Sequence, residues 1–326
     1  MTLQISAEKV LEGYRAYWKE MRKPGMECLK DNFSNNSRRK AVADRFREKF
    51  IMKNLEKLEK LGVDLGEIST LQEKDAKAAK EFLQEQRLKV RQYAEERSSR
   101  QQRFRKRFPD RRTVLLGLKN PPYRRCLVLA TGIFIDGPII GDASYSDFIS
   151  RTSDFDNSAR IRATVNNNGA CLTFIDYHFF WTAESDGILY PETYITFNGS
   201  WQRYNPSDCT DENIAILQIW TDFSVAQMDP SGEPRAHSPG SIEPLYERSV
   251  RHSGSSADTE TVPILPDRDY VNLDAPPMEI VAYLPVIFTV TVGFQLASNN
   301  GADVTLDFLT EPFEINVSGV VFEVVT

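Results

Sequence analysis

Residues 70–108 read TLQEKDAKAAKEFLQEQRLKVRQYAEERSSRQQRFRKRF and separate two unlike parts of the chain. The stretch contains neither Gly nor Pro, and nearly every residue in it favours a helix. At about 1.5 Å per residue, such a helix is about 57 Å long. Its first half has an apolar stripe, whereas after Ala94 it is polar until Phe104. A helix that is polar all round has no local core, so the second half needs contacts outside the helix.

The residues before this stretch also show helical patterns. Apolar side chains recur at helical spacing over residues 6–23 and 38–61, and a capping-box pattern at Thr70 marks the start of the long helix. We therefore predict an N-terminal α-helical hairpin or bundle with one long helix, a basic stalk over residues 1–108. Coiled-coil pairing with other copies is expected of its polar half. Residues 109–125 are predicted to be a linker.

The chain after residue 125 is typical of antiparallel sheets. Short apolar or alternating runs recur between turn signals such as NNNG, ESDG and SNNG. This pattern predicts an all-β antiparallel sandwich, jelly-roll-like, over residues 126–326. The whole protein is therefore predicted to be α+β, organised as two domains.

Two segments of this half need separate interpretation. Residues 229–277 are rich in Pro, Ser and Gly and are predicted to form a long surface loop with short strand pieces such as residues 261–265. Residues 280–297 form the most apolar run, but Pro285 and Gly293 interrupt it and β-branched residues dominate it. That composition favours strands buried on both faces over a membrane helix.

Net charge changes sign near the predicted boundary between the helical half and the sheet half of the chain. Residues 1–112 hold 29 Lys and Arg against 18 Asp and Glu, a net charge of +11, and the remainder holds 11 against 28, a net charge of −17. The segment over residues 97–112 is the most basic, and it has three interpretations: a site for phosphate or an acidic surface, a solvated helix end, or a surface that docks on the acidic half of its own or a neighbouring chain. The predicted assembly or partner contacts are Arg97, Arg100, Arg103, Phe104, Arg105, Lys106, Arg107, Phe108, Arg111 and Arg112.

No catalytic or cofactor-binding motif is present. The sequence lacks GxxxxGK[ST], a GxGxxG after a strand, HExxH and GxSxG, so we expect no catalytic site and no cofactor. Asp176 and His178 share one face of a predicted strand. Together with Cys171 or Cys209 they could form a Cys–His–Asp catalytic site, which is a further hypothesis. The four cysteines are widely spaced, which argues against disulfides and a zinc site.

One short turn has the composition of a cation ligand set. Asp154, Asp156 and Asn157 could donate oxygens to calcium, but the EF-hand glycine and distal glutamate are missing. We therefore expect no metal, with calcium as the candidate ion at this turn.

Aromatic residues are dense over residues 174–204, and most are expected in the sandwich core. Tyr190, Trp201 and Tyr204 flank turns, and exposed aromatic rings beside Asp and Asn suit stacking on sugars. These three are therefore the candidate glycan contacts.

The leading hypothesis is a non-enzymatic structural protein of the virion, fibre or appendage kind. It would self-associate through its basic helical part, with itself or an acidic protein surface as partner. The alternatives are a lectin-like glycan-binding module on a helical stalk and a membrane-acting, pore-forming toxin. Nucleic acid is not expected as a partner, since Glu residues are mixed through the helices. A membrane is not expected either, because the most apolar run, residues 280–297, is strand-like. The first residues lack a signal-peptide pattern, so we expect cytoplasmic synthesis, with release in an extracellular assembly as a further option.

Overall fold

The computed structural model describes residues 9–23, 26–27, 59–60, 64–107, 123–153, 156–205, 213–229, 231–240, 243–252, 258–299 and 301–326. Helix α1 covers residues 9–23 and helix α2 covers Leu65–Arg107. All strand pairs in these ranges are antiparallel, and they form two sheets.

The smaller sheet has seven strands within the described residues. They are β1 (Tyr123–Leu127), β4 (Ile149–Ser153), β5 (Asp156–Arg160), β7 (Gly187–Asn198), β13 (Val271–Asp274), β14 (Met278–Ile280) and β17 (Glu314–Val325). The main path runs β13-β7-β17-β5-β4, while β14 also pairs with β7 and β1 with β17.

The larger sheet has ten strands within the same ranges. They are β2 (Gly132–Asp136), β3 (Ile139–Tyr145), β6 (Arg162–Thr182), β8 (Ser200–Asn205), β9 (Asn213–Met228), β10 (Pro234–Ser238), β11 (Glu243–His252), β12 (Asp258–Pro263), β15 (Pro285–Asn299) and β16 (Asp303–Asp307). The main path runs β10-β9-β15-β6-β16-β8-β12. Strand β15 lies inside the sheet and pairs with both β6 and β9. Its first ten residues are buried on both faces, because the core covers one face and helix α1 contacts the other.

The inner faces of the two sheets share one core. Phe288 of the larger sheet stacks on Phe322 of the smaller one, with ring centroids 5.0 Å apart. The Tyr177 hydroxyl donates to the Ile315 carbonyl across the same space, at 3.1 Å. The two sheets are therefore the layers of a sandwich.

Strand β7 continues into β8 through Gly199, so one chain segment belongs to both sheets. A side chain at Gly199 would put its Cβ 2.3 Å from the Phe308 ring, which leaves room for glycine alone. Residues Ile195, Phe197 and Trp201 point into the core, and the residues between them face outward. We call this alternate set the outward row; it comprises Tyr190, Glu192, Tyr194, Thr196, Asn198, Ser200, Gln202 and Tyr204.

Helix α2 runs antiparallel to the outward row. Arg87 contacts Gln202 near one end, and Phe104 contacts Tyr194 near the other. These 17 residues of helix span about 26 Å at about 1.5 Å each, and the 8 residues of strand span the same distance at about 3.3 Å each. Because these two lengths match, the helix and the strand stay in contact over the middle of the row.

Helix α1 lies on the outer face of the larger sheet. Val10 and Tyr14 are fully buried, and they form an apolar cluster with Ala226, Met228 and Ile287 of strands β9 and β15. The helix therefore stabilises the sheet by covering apolar surface that would otherwise face water.

The sandwich predicted from the sequence is confirmed, while the helical bundle is not. Val10 and Tyr14 of α1 cluster with residues of β9 and β15, and Val90 and Ala94 of α2 cluster with Phe313, the residue before β17. The predicted helix over residues 38–61 lies almost wholly outside the described residues. The division into two domains and the jelly-roll connections stay predictions.

Two local predictions are wrong. Residues 229–277 are not one long loop, because β10, β11, β12 and β13 lie within them and pair with β9, β8 and β7. Helix α2 begins at Leu65 rather than at Thr70, since Asp64 accepts a hydrogen bond from the Gly66 amide at 2.8 Å and caps the first turn. The Thr70 hydroxyl instead donates to the Gly66 carbonyl inside the helix.

Candidate functional site

An open groove of about 370 Å³ lies on the outer face of the smaller sheet, at the end of the outward row that helix α2 leaves uncovered. We call it the Tyr190 groove; its polar and aromatic lining is Tyr190, Glu192, Asn272, Asp274 and Glu323. Strand register brings these residues together, because Glu192 lies opposite Asp274 and Tyr190 lies opposite Glu323.

The lining of the Tyr190 groove determines which ligand groups it suits. The Tyr190 side chain is 38% exposed, so its ring is available to a ligand. A carboxylate accepts hydrogen bonds, so a ligand that contacts Glu192 or Asp274 would suit these residues by contributing donors such as hydroxyl groups. An aromatic ring offers the apolar counterpart, a flat surface for stacking.

The other two predicted glycan contacts lie elsewhere. Trp201 is fully buried in the core, so the prediction that it contacts a glycan is wrong. Tyr204 is half-buried at the opposite end of the outward row, beside Asp303 of β16. Sequence reasoning missed Asn272 and Asp274 because it assigned them to a loop, although the alternating VNLD pattern of β13 was the available signal.

The basic segment of helix α2 contacts the sandwich of its own chain. Arg97 is 1% exposed and donates to the Ile264 carbonyl at 2.6 Å, to the Leu265 carbonyl at 2.8 Å and to the Arg268 carbonyl. Burial lowers the pKa of Arg97 below its ordinary value. This side chain anchors the helix to the turn that follows β12.

Three further residues of the segment extend this contact along the outward row. Arg105 donates to the Thr196 hydroxyl and to the Glu314 carboxylate, both at 2.8 Å. Phe104 stacks on Tyr270, with ring centroids 4.0 Å apart. The third, Arg100, pairs with Asp269 at 3.2 Å on the exposed side.

The remaining predicted partner contacts are Arg103 and the residues at or after the end of helix α2. Arg103 is exposed and donates to the Ser99 carbonyl of its own helix at 3.3 Å. Lys106 and Arg107 end the helix, with side chains outside the described set, and Phe108, Arg111 and Arg112 lie outside the described residues. Self-association and docking on another acidic protein stay predictions.

Helix α1 covers a polar cluster on the larger sheet. The Thr289 hydroxyl donates to the Tyr14 hydroxyl at 3.3 Å and lies 3.0 Å from Nδ1 of His178. Burial lowers the pKa of His178 to about 4, so its imidazole is neutral near pH 7. Burial also raises the pKa of Tyr14 above its ordinary value.

An ion pair closes the other end of this cluster. Arg22 donates to both carboxylate oxygens of Asp176, at 2.6 and 2.7 Å, and to the Thr291 hydroxyl at 3.1 Å. Burial alone would raise the pKa of Asp176, but the Arg22 guanidinium outweighs it and holds that pKa below its ordinary value. Helix α1 is therefore joined to the sheet by charge as well as by apolar packing.

The Cys–His–Asp hypothesis does not agree with these positions. Cys171 points into the core and contacts the Thr173 hydroxyl at 3.1 Å, whereas Asp176 and His178 face the opposite side of the sheet, under helix α1. Cys209 lies outside the described residues.

The calcium candidate residues that the structure describes have protein partners. Oδ1 of Asp156 accepts from Asn316 at 2.5 Å, and the Asn157 amide spans the Val128 and Val317 carbonyls. Asp154 lies outside the described residues. Over the described ranges, no group of three or more His, Cys, Asp or Glu side chains could hold a metal ion. In the same ranges, neither helix is both long and apolar enough to cross a membrane.

Comparisons with known proteins return no matching family model and no matching curated protein. Solved structures that share similarity include the CBM22-1 xylan-binding domain from Paenibacillus barcinonensis, at 9% identity over 61% of this chain and 97% of that one, with a TM-score of 0.19. A family 11 carbohydrate-binding module from Clostridium thermocellum, in complex with a mixed-linked tetrasaccharide, has 12% identity over 59% and 94%, with a TM-score of 0.17. The enzymatically active domain of tailspike protein 4 from Bacteriophage CBA120 has 12% identity over 60% and 19%, with a TM-score of 0.20. These TM-scores are too low for the ligands of those proteins to be carried over to this chain.

Proposed function

We propose that this chain is a non-catalytic binding module that holds a neutral oligosaccharide in the Tyr190 groove. The observation that supports this proposal is one exposed tyrosine ring beside three carboxylates and an amide in a single open groove. The ring stacks on the apolar face of a sugar, and the carboxylates accept hydrogen bonds from its hydroxyl groups.

The charge of the groove supports a neutral ligand. Glu192, Asp274 and Glu323 all line it, and no Lys or Arg side chain that the structure describes is among its lining residues. A uronic acid or sulfated sugar would bring like charge to these carboxylates, which disfavours binding. A volume of about 370 Å³ is within the usual range for small-ligand sites, so a short stretch of saccharide fills it.

The position of His178 and Asp176 supports a role for the groove that does not use those two residues as proton-transfer groups. His178 and Asp176 are covered by helix α1 and are partnered by Thr289 and Arg22. They face outward from the larger sheet, whereas the Tyr190 groove lies on the outer face of the smaller one.

The test is a screen of neutral oligosaccharides followed by titration calorimetry on the best ligand. Tyr190→Ala is expected to weaken binding by up to about tenfold, since a lost stacking contact contributes about 0.5–1.5 kcal/mol. Tyr283→Ala is the matched control, because Tyr283 is 79% exposed and lies outside the groove. Equal affinities of the two variants, or no binding of any neutral oligosaccharide, would refute the proposal.

A further inference from the structure

A second, larger cleft lies between helix α2 and the outer face of the larger sheet. Its volume is about 630 Å³, and we call it the arginine cleft. One wall is formed by residues of α2, and the floor by residues of β6, β16 and β8.

The cleft follows from the helix and strand periods. Gln84, Arg87, Leu88 and Arg91 are spaced three, four and seven residues apart, so they share one face of α2. The floor consists of two cross-strand rows from β6, β16 and β8. These rows are Thr164–Thr305–Gln202 and Arg162–Asp307–Ser200.

The charges in the cleft are not balanced. Arg162 pairs with Asp307 at 2.9 Å, and that carboxylate also accepts hydrogen bonds from Thr310 and the Leu309 amide. Arg91 pairs with Glu95 on its own helix at 3.5 Å.

Arg87 differs from the other two arginines. It donates to the neutral amide oxygen of Gln202 at 2.6 Å, and no carboxylate of the described residues forms an ion pair with it. Partial burial, followed by the nearby Arg162 charge, lowers the pKa of Arg87, and the Asp307 carboxylate offsets only part of this effect. The cleft thus holds a cation that neighbouring groups destabilise and that an incoming anion would stabilise.

We propose that the arginine cleft binds a small molecule carrying a tetrahedral oxyanion, a phosphate or sulfate ester. The Arg87 guanidinium provides a planar pair of donors to the anion, with Arg91 at the cleft wall one helical turn away. The hydroxyls of Thr164 and Thr305 on the floor are hydrogen-bond donors for the rest of the ligand. This site is separate from the Tyr190 groove and has the opposite charge.

The experiment is titration calorimetry of the full chain at low ionic strength with glucose 6-phosphate, glucose 6-sulfate and glucose. The proposal expects at least one ester to bind at least tenfold more tightly than glucose, and the pair of esters identifies which oxyanion is preferred. Added salt should weaken that binding, because the contact is between exposed charges. Esters that bind no more tightly than glucose would overturn the proposal.

Variants identify the site. Arg87→Gln is expected to weaken ester binding at least tenfold, and Arg91→Gln should weaken it too. Arg103→Gln is the matched control, because Arg103 is an exposed arginine of the same helix that lies outside the cleft. Equal loss in Arg87→Gln and Arg103→Gln would overturn the proposal. Tyr190→Ala should leave ester binding unchanged, so a failure of this site is distinguishable from a failure of the Tyr190 groove.

Discussion

Replacing Arg97 by methionine tests whether the polar half of helix α2 is held by the sandwich of its own chain. The substitution keeps most of the side-chain volume but removes the donors to the carbonyls of Ile264, Leu265 and Arg268. Each net hydrogen bond from a charged donor contributes about 1.5 kcal/mol or more, so the loss could exceed about 4 kcal/mol.

Two effects reduce that figure. The burial that lowers the pKa of Arg97 also makes its charge costly in the folded state, and methionine removes this cost. The Leu265 carbonyl still accepts from the Arg268 amide at 3.2 Å. We therefore expect Arg97→Met to lower the free energy of unfolding by about 3 kcal/mol.

The assay is urea unfolding followed by tryptophan fluorescence. With a slope of about 3 kcal/mol per molar urea, the midpoint should fall by about 1 M. Arg103→Met is the control, since it makes the same chemical change at an exposed position of the same helix and should stay within about 0.5 kcal/mol of the parent protein. A loss below about 1 kcal/mol in Arg97→Met, or equal losses in the two variants, would refute the reasoning.

Two further predictions concern helix α1 and the polar cluster beneath it. The pKa of His178 is lowered from 6.5 to about 4, so the unfolded chain takes up the proton first as pH falls. Stability that is present above pH 6.5 is therefore lost toward pH 4. We expect the contribution of His178 to the free energy of unfolding to fall by about 2 kcal/mol between pH 7.5 and pH 5. Urea midpoints across this range check the slope, which His178→Gln should flatten, and an unchanged slope in that variant would count against the assignment. Asp176→Asn should destabilise the protein by about 3 kcal/mol, because it leaves the Arg22 charge without its paired carboxylate. The same change should speed proteolysis within α1. Glu20→Gln is the control, since the Glu20 side chain is 73% exposed, and this variant should be digested at the rate of the parent protein.

The outward row shows why part of the candidate site was not predictable from the sequence. Trp201 follows the turn-like NGS and therefore looked accessible, but β7 and β8 keep one alternation through Gly199. Every second residue from Tyr190 onward, including Gln202, therefore faces away from the core, and Trp201 faces into it. A one-residue difference in parity reverses which face a side chain occupies, and the sequence does not show whether a glycine interrupts the strand or only bends it.

The packing partner of the long helix was also only partly predictable from the sequence. Its polar second half correctly indicated a need for contacts beyond the helix, and the opposite charges of the two halves made the sandwich a candidate surface. Composition could not choose between this chain and a neighbouring one. Arg97 meets backbone carbonyls of a turn, which carry no sequence signature, and those contacts depend on where that turn lies in space.

By itself, the sequence determined the long helix and the antiparallel sandwich. Both have local causes: residues 70–107 favour a helix throughout, and the strand runs either alternate or, as over residues 285–294, are mostly apolar and β-branched. Only the tertiary structure decided that helix α2 covers the middle of the outward row and leaves Tyr190 beside Asp274. That arrangement brings together residues more than eighty positions apart, and such contacts depend on strand register and helix placement rather than on any local pattern.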